Sequence, residues 1–489
     1  MKGTFFFTTT MMAERIVSFF LLPILTKSLT IEEYAIWTQS IIIVGVLVPI
    51  VLLKFETTII KFLPLLNKNR KKQNSLILFM IVLILCFFSL IAVIILLLDD
   101  QIANFIFGDH RLSFYVPLLI VLLFSEVIFE FLIGVLRVAN KIKKLSIYLL
   151  MKGVWRAGVL ILVLIIIDGS YYLALSSFVL FQLIIILFLF FFEINPVLLF
   201  KSGLKTSKPY WSKVIKFSLP LVPYIVLLGI NNFVDRFFII HFHGLKLLGI
   251  YAAGFSLAVI VTFIHSTISF MLFPELSKLW VNKNKNKNKI KNLIQKVVIS
   301  YLALSIPFLI FILIAGVDFI SLLTTNQYNI TSIEIFLITL NIALFGLHQI
   351  IYYVVLLDRG SLSAPRIMTI VVFINIVFNA LLIPNYGIFG AALAGFLSNA
   401  YLAIYTIVLS KKILKWNYPI LVNIKILFRS LIMGIVIWQS IHWLGNDLLS
   451  LLVTLIFSGF TYILLDFFGD KNSSFISLTK LSILYRRKS

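Results

Sequence analysis

Eleven charged residues lie inside long apolar runs: Glu14, Arg15, Lys54, Glu56, Lys61, Glu126, Glu130, Lys152, Arg156, Asp235 and Arg236. A charge at the centre of a bilayer costs roughly 2.5–3.5 kcal/mol on insertion scales, so such residues face a cavity or a partner and usually carry function. Their spacing adds detail. Glu126 and Glu130 are four apart and share one face of a helix, as do Lys152 and Arg156. Arginine offers a planar fork of donors that suits phosphate, and hydrogen bonds of this kind are the strong ones. Arg15 and Arg156 lie nearest the middle of their runs and are the first candidates to hold an anionic group. Lys54, Lys152 and Arg236 come next. The carboxylates Glu14, Glu56, Glu126, Glu130 and Asp235 have two readings. They pair with the cations, Glu126 and Glu130 with Lys152 and Arg156, or they couple the site to a proton or sodium gradient. Lys61 and Asp235-Arg236 fall near the ends of their runs, where side chains snorkel to the interface.

These charges need apolar elements to hold them. The chain has 489 residues, 61% hydrophobic and only 12% charged. A soluble domain carries about 25% charged residues, so a soluble enzyme and a disordered chain are both excluded. Cys86 is the only cysteine, which excludes a disulfide scaffold. The apolar runs are long and unbroken, unlike the short alternating segments of an outer-membrane barrel. The expected fold class is an all-α polytopic membrane protein with about fourteen transmembrane helices of about 20 residues each. The first run is 5–27, the second 34–63, the seventh and eighth 214–240 and 248–272, and the last 448–468.

The net charge is +23. It is not one patch for nucleic acid, because the cations recur in loops between apolar runs. Of the 42 Lys and Arg, 33 fall in one alternate set of loops, which includes Lys411–Arg429, and 3 in the other; the rest are intramembrane. Under the positive-inside rule this places both termini in the cytoplasm. The first run is not a cleaved signal peptide, because Glu14 and Arg15 interrupt it. The Lys/Asn run Asn282–Lys289 reads as a solvated loop. No loop is long enough for an extramembrane catalytic domain. No phosphate-cradling Gly loop precedes a Lys-Ser/Thr pair, so neither ATP nor any other cofactor is expected. His241 and His243 lack the accompanying Cys or carboxylates of a metal site, and no metal is expected there.

The chain also carries signs of an internal repeat. Tyr34 and Tyr251 open helices after short outer loops, Pro64 and Pro274 precede basic segments, and Asp168-Gly169 corresponds to Asn385-Tyr386-Gly387. All recur at nearly one offset, as in many transporters. The expected division is a six-helix bundle over 1–195, a second over 196–415, and two extra helices with a basic tail over 416–489.

Three stretches carry a resemblance. They are Leu21-Leu22-Pro23-Ile24-Leu25-Thr26 leading to Glu32-Glu33-Tyr34, Phe217-Ser218-Leu219-Pro220 running to Asn231-Asn232-Phe233-Val234-Asp235-Arg236 and Gly249-Ile250-Tyr251-Ala252, and Ile383-Pro384-Asn385-Tyr386-Gly387-Ile388-Phe389-Gly390. In order, they make the chain resemble the polysaccharide transporter (Wzx-type flippase) family of the multidrug/oligosaccharidyl-lipid/polysaccharide exporter superfamily. Ala35 departs from the family, which often has Gly after the Tyr. The resemblance implies a MATE-like fold, two six-helix bundles around a central cavity plus two peripheral helices. It implies translocation of an undecaprenyl-pyrophosphate-linked oligosaccharide, such as an O-antigen or capsule repeat unit, across a bacterial inner membrane by alternating access. The implied partners are that lipid-linked substrate, membrane lipids, and a polysaccharide polymerase with its chain-length partner. Two competing readings are a multidrug efflux transporter of the same superfamily and a membrane polymerase or glycosyltransferase. The Arg- and Lys-bearing first half argues against the former, and the short outer loops argue against the latter.

Overall fold

In the computed structural model the described residues are 10, 17, 20–66, 69–139, 141–167, 170–194, 196–204, 208–360, 363–418, 420–445 and 447–469. Glu14 and Arg15, and most of the expected 5–27 span, lie outside them. Among the described residues there is no strand, and eleven helices are long and apolar enough to cross a membrane. Two of the eleven, Lys208–Ala258 and Ser363–Leu414, have 51 and 52 residues. At about 1.5 Å per residue each far exceeds a hydrocarbon core of about 30 Å. Each turns at a glycine of positive φ, Gly244 (81°) and Gly387 (52°). The Gly387 turn falls at the Asn385-Tyr386-Gly387 element of the internal repeat. The expected 248–272 span comes out as two helical pieces that meet at Val259 and Ile260.

The chain divides into two compact units, Met1–Gly249 and Ile250–Ser489. The first contains α1 (Ile31–Val51), α2 (Phe55–Phe62), α3 (Arg70–Leu97), α4 (Asp99–Phe107), α5 (Val116–Val138), α6 (Ile142–Ile161), α7 (Tyr171–Phe188), α8 (Pro196–Ser202) and α9 (Lys208–Ser218). Most of α10 (Val222–Ala258) also belongs to it. Helix α1 starts where it does because Thr30 and Glu33 form a reciprocal capping box: Glu33 N–H donates to Thr30 Oγ1 (3.2 Å) and Thr30 N–H donates to Glu33 Oε2 (3.0 Å). The Glu32-Glu33-Tyr34 motif thus has a folding role, and Tyr34 is buried just inside the cap. Helix α5 is the centre of the unit and packs against α1, α2, α3, α6 and α7.

One break was not visible in the sequence pattern. The expected 34–63 span is interrupted between α1 and α2, where Leu53 (φ 49°) and Lys54 (φ 59°) are both left-handed. Each such non-glycine residue costs roughly 1–2 kcal/mol. Pro49 lies one turn upstream and has no N–H to donate, which weakens the helix there. Short 3₁₀-type bonds close the corner, Leu53 N–H to Ile50 O (3.1 Å) and Phe55 N–H to Leu52 O (2.8 Å).

The second unit contains α11 (Val261–Trp280), α12 (Lys283–Leu323), α13 (Ser332–Arg359), α14 (Ser363–Leu414), α15 (Ile420–Leu444) and α16 (Leu448–Gly469). Helix α13 is its most buried span and begins at a second capping box, Thr331 with Glu334. The Asn282–Lys289 run is not a solvated loop. Lys283 onward forms the first turns of α12, because Ile290 and Ile294 follow at helical spacing and pack onto Leu272 and Leu276. Lys283 also pairs with Asp358 on α13 (2.5 Å).

A second correction concerns Arg429. It ends the basic Lys411–Arg429 stretch, yet it lies within α15 and is buried, donating to Asp466 Oδ1 on α16 at 2.7 Å. Arg429 and Asp466 are intramembrane charges of the second unit that the sequence reading missed, because Lys425 and Arg429 follow closely on Lys411, Lys412 and Lys415.

Close helix contact accounts for part of the Gly249-Ile250-Tyr251-Ala252 motif. A Cβ on Gly249 would run into the Ile31 carbonyl oxygen and lie 2.5 Å from Ile31 Cγ2. Gly158, by contrast, has nothing within 4 Å. Gly249→Val should therefore lower stability by about 1–3 kcal/mol, the usual cost of overpacking, while Gly158→Ala should not. Thermal unfolding of the two purified variants in detergent measures this. Equal melting temperatures would show that the Ile31–Gly249 contact is not tight.

Candidate functional site

The break between α1 and α2 opens onto a cavity of about 340 Å³ inside the first unit. Its apolar wall comes from α1, chiefly Ile41, Val44, Val48 and Pro49, and from Leu122 on α5. Its polar wall is Lys54 at the break, Glu56 on α2, Glu126 and Glu130 on α5, and Arg156 on α6. Five of the residues singled out from sequence thus meet in one place. They come from four separate helical positions.

Each charge has an identifiable neighbour. Lys54 Nζ donates to Glu56 Oε1 at 2.8 Å, while Glu56 Oε2 is shielded from solvent and has no hydrogen-bond partner. Lys152 Nζ donates to Glu126 Oε2 at 2.6 Å and lies 4.5 Å from the centre of the Phe129 ring. Lys152 therefore backs the wall through Glu126 rather than lining it. The Arg156 guanidinium carbon lies 5.6 Å from the Trp37 ring and 5.5 Å from Phe178, both within cation–π reach. Trp37 is itself fixed edge-on against Tyr171 (6.0 Å), whose hydroxyl meets Ser40 Oγ at 3.1 Å. Two aromatic rings thus flank the Arg156 guanidinium.

Lys54, Lys152 and Arg156 stand against Glu56, Glu126 and Glu130, so the wall and its immediate backing sum to 3 − 3 = 0. Among the described residues the wall and its immediate backing are thus charge-balanced, and the expected pairing of Glu126 is with Lys152. In a medium of low dielectric an unbalanced cluster would be far costlier to bury.

Asp235 and Arg236 are elsewhere. They lie mid-helix in α10, 6% and 3% exposed, and do not line this cavity. They do not snorkel, because α10 continues helically to Gly244 and neighbouring side chains cover them. Lys61 is exposed and sits 3.7 Å from the centre of the Phe217 ring. In the second unit, buried His348 shares a 2.7 Å hydrogen bond between its Nδ1 and Thr406 Oγ1. The aromatic support of Arg156 was missed from sequence. Trp37 and Phe178 are distant in the chain from each other and from Arg156, and no local spacing links them.

Comparisons with known proteins agree with this architecture. The chain is similar in fold to an inward-closed structure of the lipid II flippase MurJ, with a TM-score of 0.70, 18% identity, and 94% of this chain and 99% of that one covered. It is similar to an inward-facing multidrug resistance MATE family transporter of the MOP superfamily, at TM-score 0.64, 11% identity and coverage of 82% and 94%. It is also similar to a MOP superfamily transporter from Pyrococcus furiosus described as having a binding pocket of reversed polarity, at TM-score 0.56, 11% identity and coverage of 85% and 96%. No curated protein matches the sequence. The model of one family, described as polysaccharide biosynthesis protein, matches residues 1–280, which hold α1 to α11 and the whole charged cavity. The chain belongs to the polysaccharide biosynthesis protein family.

Proposed function

We propose that the protein is a flippase, not an enzyme, that moves a polyprenyl-pyrophosphate-linked oligosaccharide, an O-antigen or capsule-like repeat unit, from the inner to the outer leaflet. The observation that carries this reading is the cavity itself, which gathers Lys54 and Arg156 with Glu56, Glu126 and Glu130 in an otherwise apolar wall, with Arg156 seated between the Trp37 and Phe178 rings. About 340 Å³ suits a pyrophosphate headgroup and its nearest sugar rather than a whole oligosaccharide. A pyrophosphate leaving water needs replacement donors, and Arg156 and Lys54 supply them.

Charge balance adds a constraint. An anion entering a neutral wall leaves Glu56, Glu126 and Glu130 in excess, so cations or protons must enter with it. Coupling to a proton or sodium gradient follows from that arithmetic. The site then alternates between two neutral states: cations paired with carboxylates when empty, and cations on the ligand with carboxylates neutralised when loaded. Lys152 serves as the counter-charge of Glu126 behind the wall; Arg15 and Arg236 are proposed as further contacts of the anionic substrate, and Glu14 and Asp235 as residues of charge pairing or ion coupling.

The test is reconstitution. Purified protein in liposomes should carry a fluorescent polyprenyl-pyrophosphate oligosaccharide across the bilayer with its mass unchanged. Transport with altered mass would indicate synthesis, and no transport would sink the reading. A second reading, efflux of organic cations, is favoured by the three carboxylates in the same cavity. Uptake of a cationic dye by the same liposomes, competed by neither lipid nor pyrophosphate, would select it.

Orientation follows from the basic loops: an inner bacterial membrane with both termini in the cytoplasm. With Cys86 replaced by Ser, a cysteine at Asp109 should react with an impermeant maleimide applied to intact cells, and one at Gly360 should not. The reverse pattern would invert the topology.

A further inference from the structure

The segment after α7 combines two features that the cavity does not use. Helix α9 buries Val214 and Ser218, stacks Trp211 flat on Phe79 of α3 (4.3 Å, 6°), and sets Phe217 edge-on to Phe62 (5.7 Å). Its outer face shows Lys208, Lys213 and Lys216 with Ile215 (39% exposed). Helix α8, packed on α3 as well, exposes Val197, Leu198 and Phe200 at 59%, 52% and 64%, beside exposed Lys201. The first turn of α3 adds the exposed Arg70-Lys71-Lys72 run. No Asp or Glu occurs in residues 57–98 or 194–218. Among the described residues none of these seven cations has an ion-pair partner.

We propose that α8, α9 and the start of α3 form a binding site for anionic phospholipid headgroups on the membrane face that carries the basic loops. Side chains that insert among acyl chains stand beside cations that stay at headgroup level, the arrangement of a segment lying in the interface plane. The aromatic stacking on α3 is what fixes the face outward: α9 cannot roll without separating Trp211 from Phe79. The lipid therefore meets a preformed set of ammonium groups on the outward half of α9, with Lys213 and Lys216 about one helical turn apart. Each lysine at an anionic surface contributes roughly a fivefold factor in affinity. This site is independent of the flippase reading and would hold for a drug transporter of the same fold.

The full-length protein in detergent is titrated with short-chain phosphatidylglycerol or phosphatidylcholine, and retained lipid is counted by native mass spectrometry. Phosphatidylglycerol should be retained preferentially. The triple variant Lys208→Gln/Lys213→Gln/Lys216→Gln should weaken that retention about 100-fold, because three charges are lost and all three side chains are solvent-facing. The matching Lys→Arg triple should bind as the parent does. A melting temperature equal to the parent's confirms that the Gln variant is folded; if it is not, the single Lys213→Gln variant is read instead, with about a fivefold loss expected. Equal retention of the two lipids by the parent, or full retention by the folded Gln variant, overturns the proposal.

Discussion

Arg156→Ala should reduce transport of the lipid-linked substrate by about 100-fold at unchanged protein level. The estimate takes one to two charge-assisted hydrogen bonds lost at about 1.5–3 kcal/mol each. Arg156→Lys should recover part of this, because charge is kept and the fork is not. Trp37→Leu separates placement from charge. It leaves the guanidinium but removes one of its two ring supports, at 5.6 Å, so affinity should fall more than the maximal rate. Liposome transport at several substrate concentrations measures both quantities. Arg156→Ala transporting at the parent rate would remove Arg156 from the anion site, and with it the main support for the flippase reading.

The second large effect distinguishes two glutamates that the sequence treats alike. Glu126 and Glu130 are one turn apart on α5 and both face the cavity. Glu126 is the counter-charge of Lys152 at 2.6 Å, with side chains 19% and 13% exposed. Removing one member of a buried pair costs about 3–5 kcal/mol; the residual exposure lowers this to about 1–3 kcal/mol. Glu126→Gln should accordingly lower abundance and melting temperature, and Lys152→Met in the same chain should restore part of the loss. Glu130→Gln, assayed on the folded fraction, should abolish the dependence of transport on an imposed proton or sodium gradient. Gradient dependence that persists in well-folded Glu130→Gln would assign the coupling elsewhere, with Glu56 next in line because its Oε2 is shielded and has no hydrogen-bond partner. Identical behaviour of the two Gln variants would show that the Lys152 pair does not distinguish them.

Much of the site was legible because charge in a bilayer is costly. Lys54, Glu56, Glu126, Glu130 and Arg156 stand out as polar exceptions within apolar runs, and all five line the cavity. Asp235 and Arg236 stood out by the same rule and lie elsewhere, since the cost of burial marks a residue as partnered without naming the partner. Arg429 and Asp466 escaped notice for the opposite reason. Arg429 is near enough to a basic cluster to look like loop, and only the packing of α15 against α16 buries it. The Lys/Asn run shows how composition misleads: its polarity reads as loop, yet Ile290 and Ile294 anchor it as helix.

The sequence by itself determined the solvent, the helical class and the register of charge. Apolar runs of about 20 residues leave a chain no other way to satisfy its backbone in lipid, and helical periodicity places Glu126 with Glu130 and Lys152 with Arg156 on common faces. What only the tertiary structure decided is which faces meet and where the helices fail. The break at Leu53-Lys54 carries two left-handed non-glycine residues. No local rule favours that conformation, and it persists only where surrounding structure holds it: Val51, Leu52 and Phe55, each 2% exposed or less, hold both sides of the corner. The pairing of Glu126 with Lys152 is also tertiary, set by the reach of one lysine from α6 rather than by anything in α5. Local sequence can place a charge on a face, but the identity of its partner is an energy shared between helices, and it exists only once they pack.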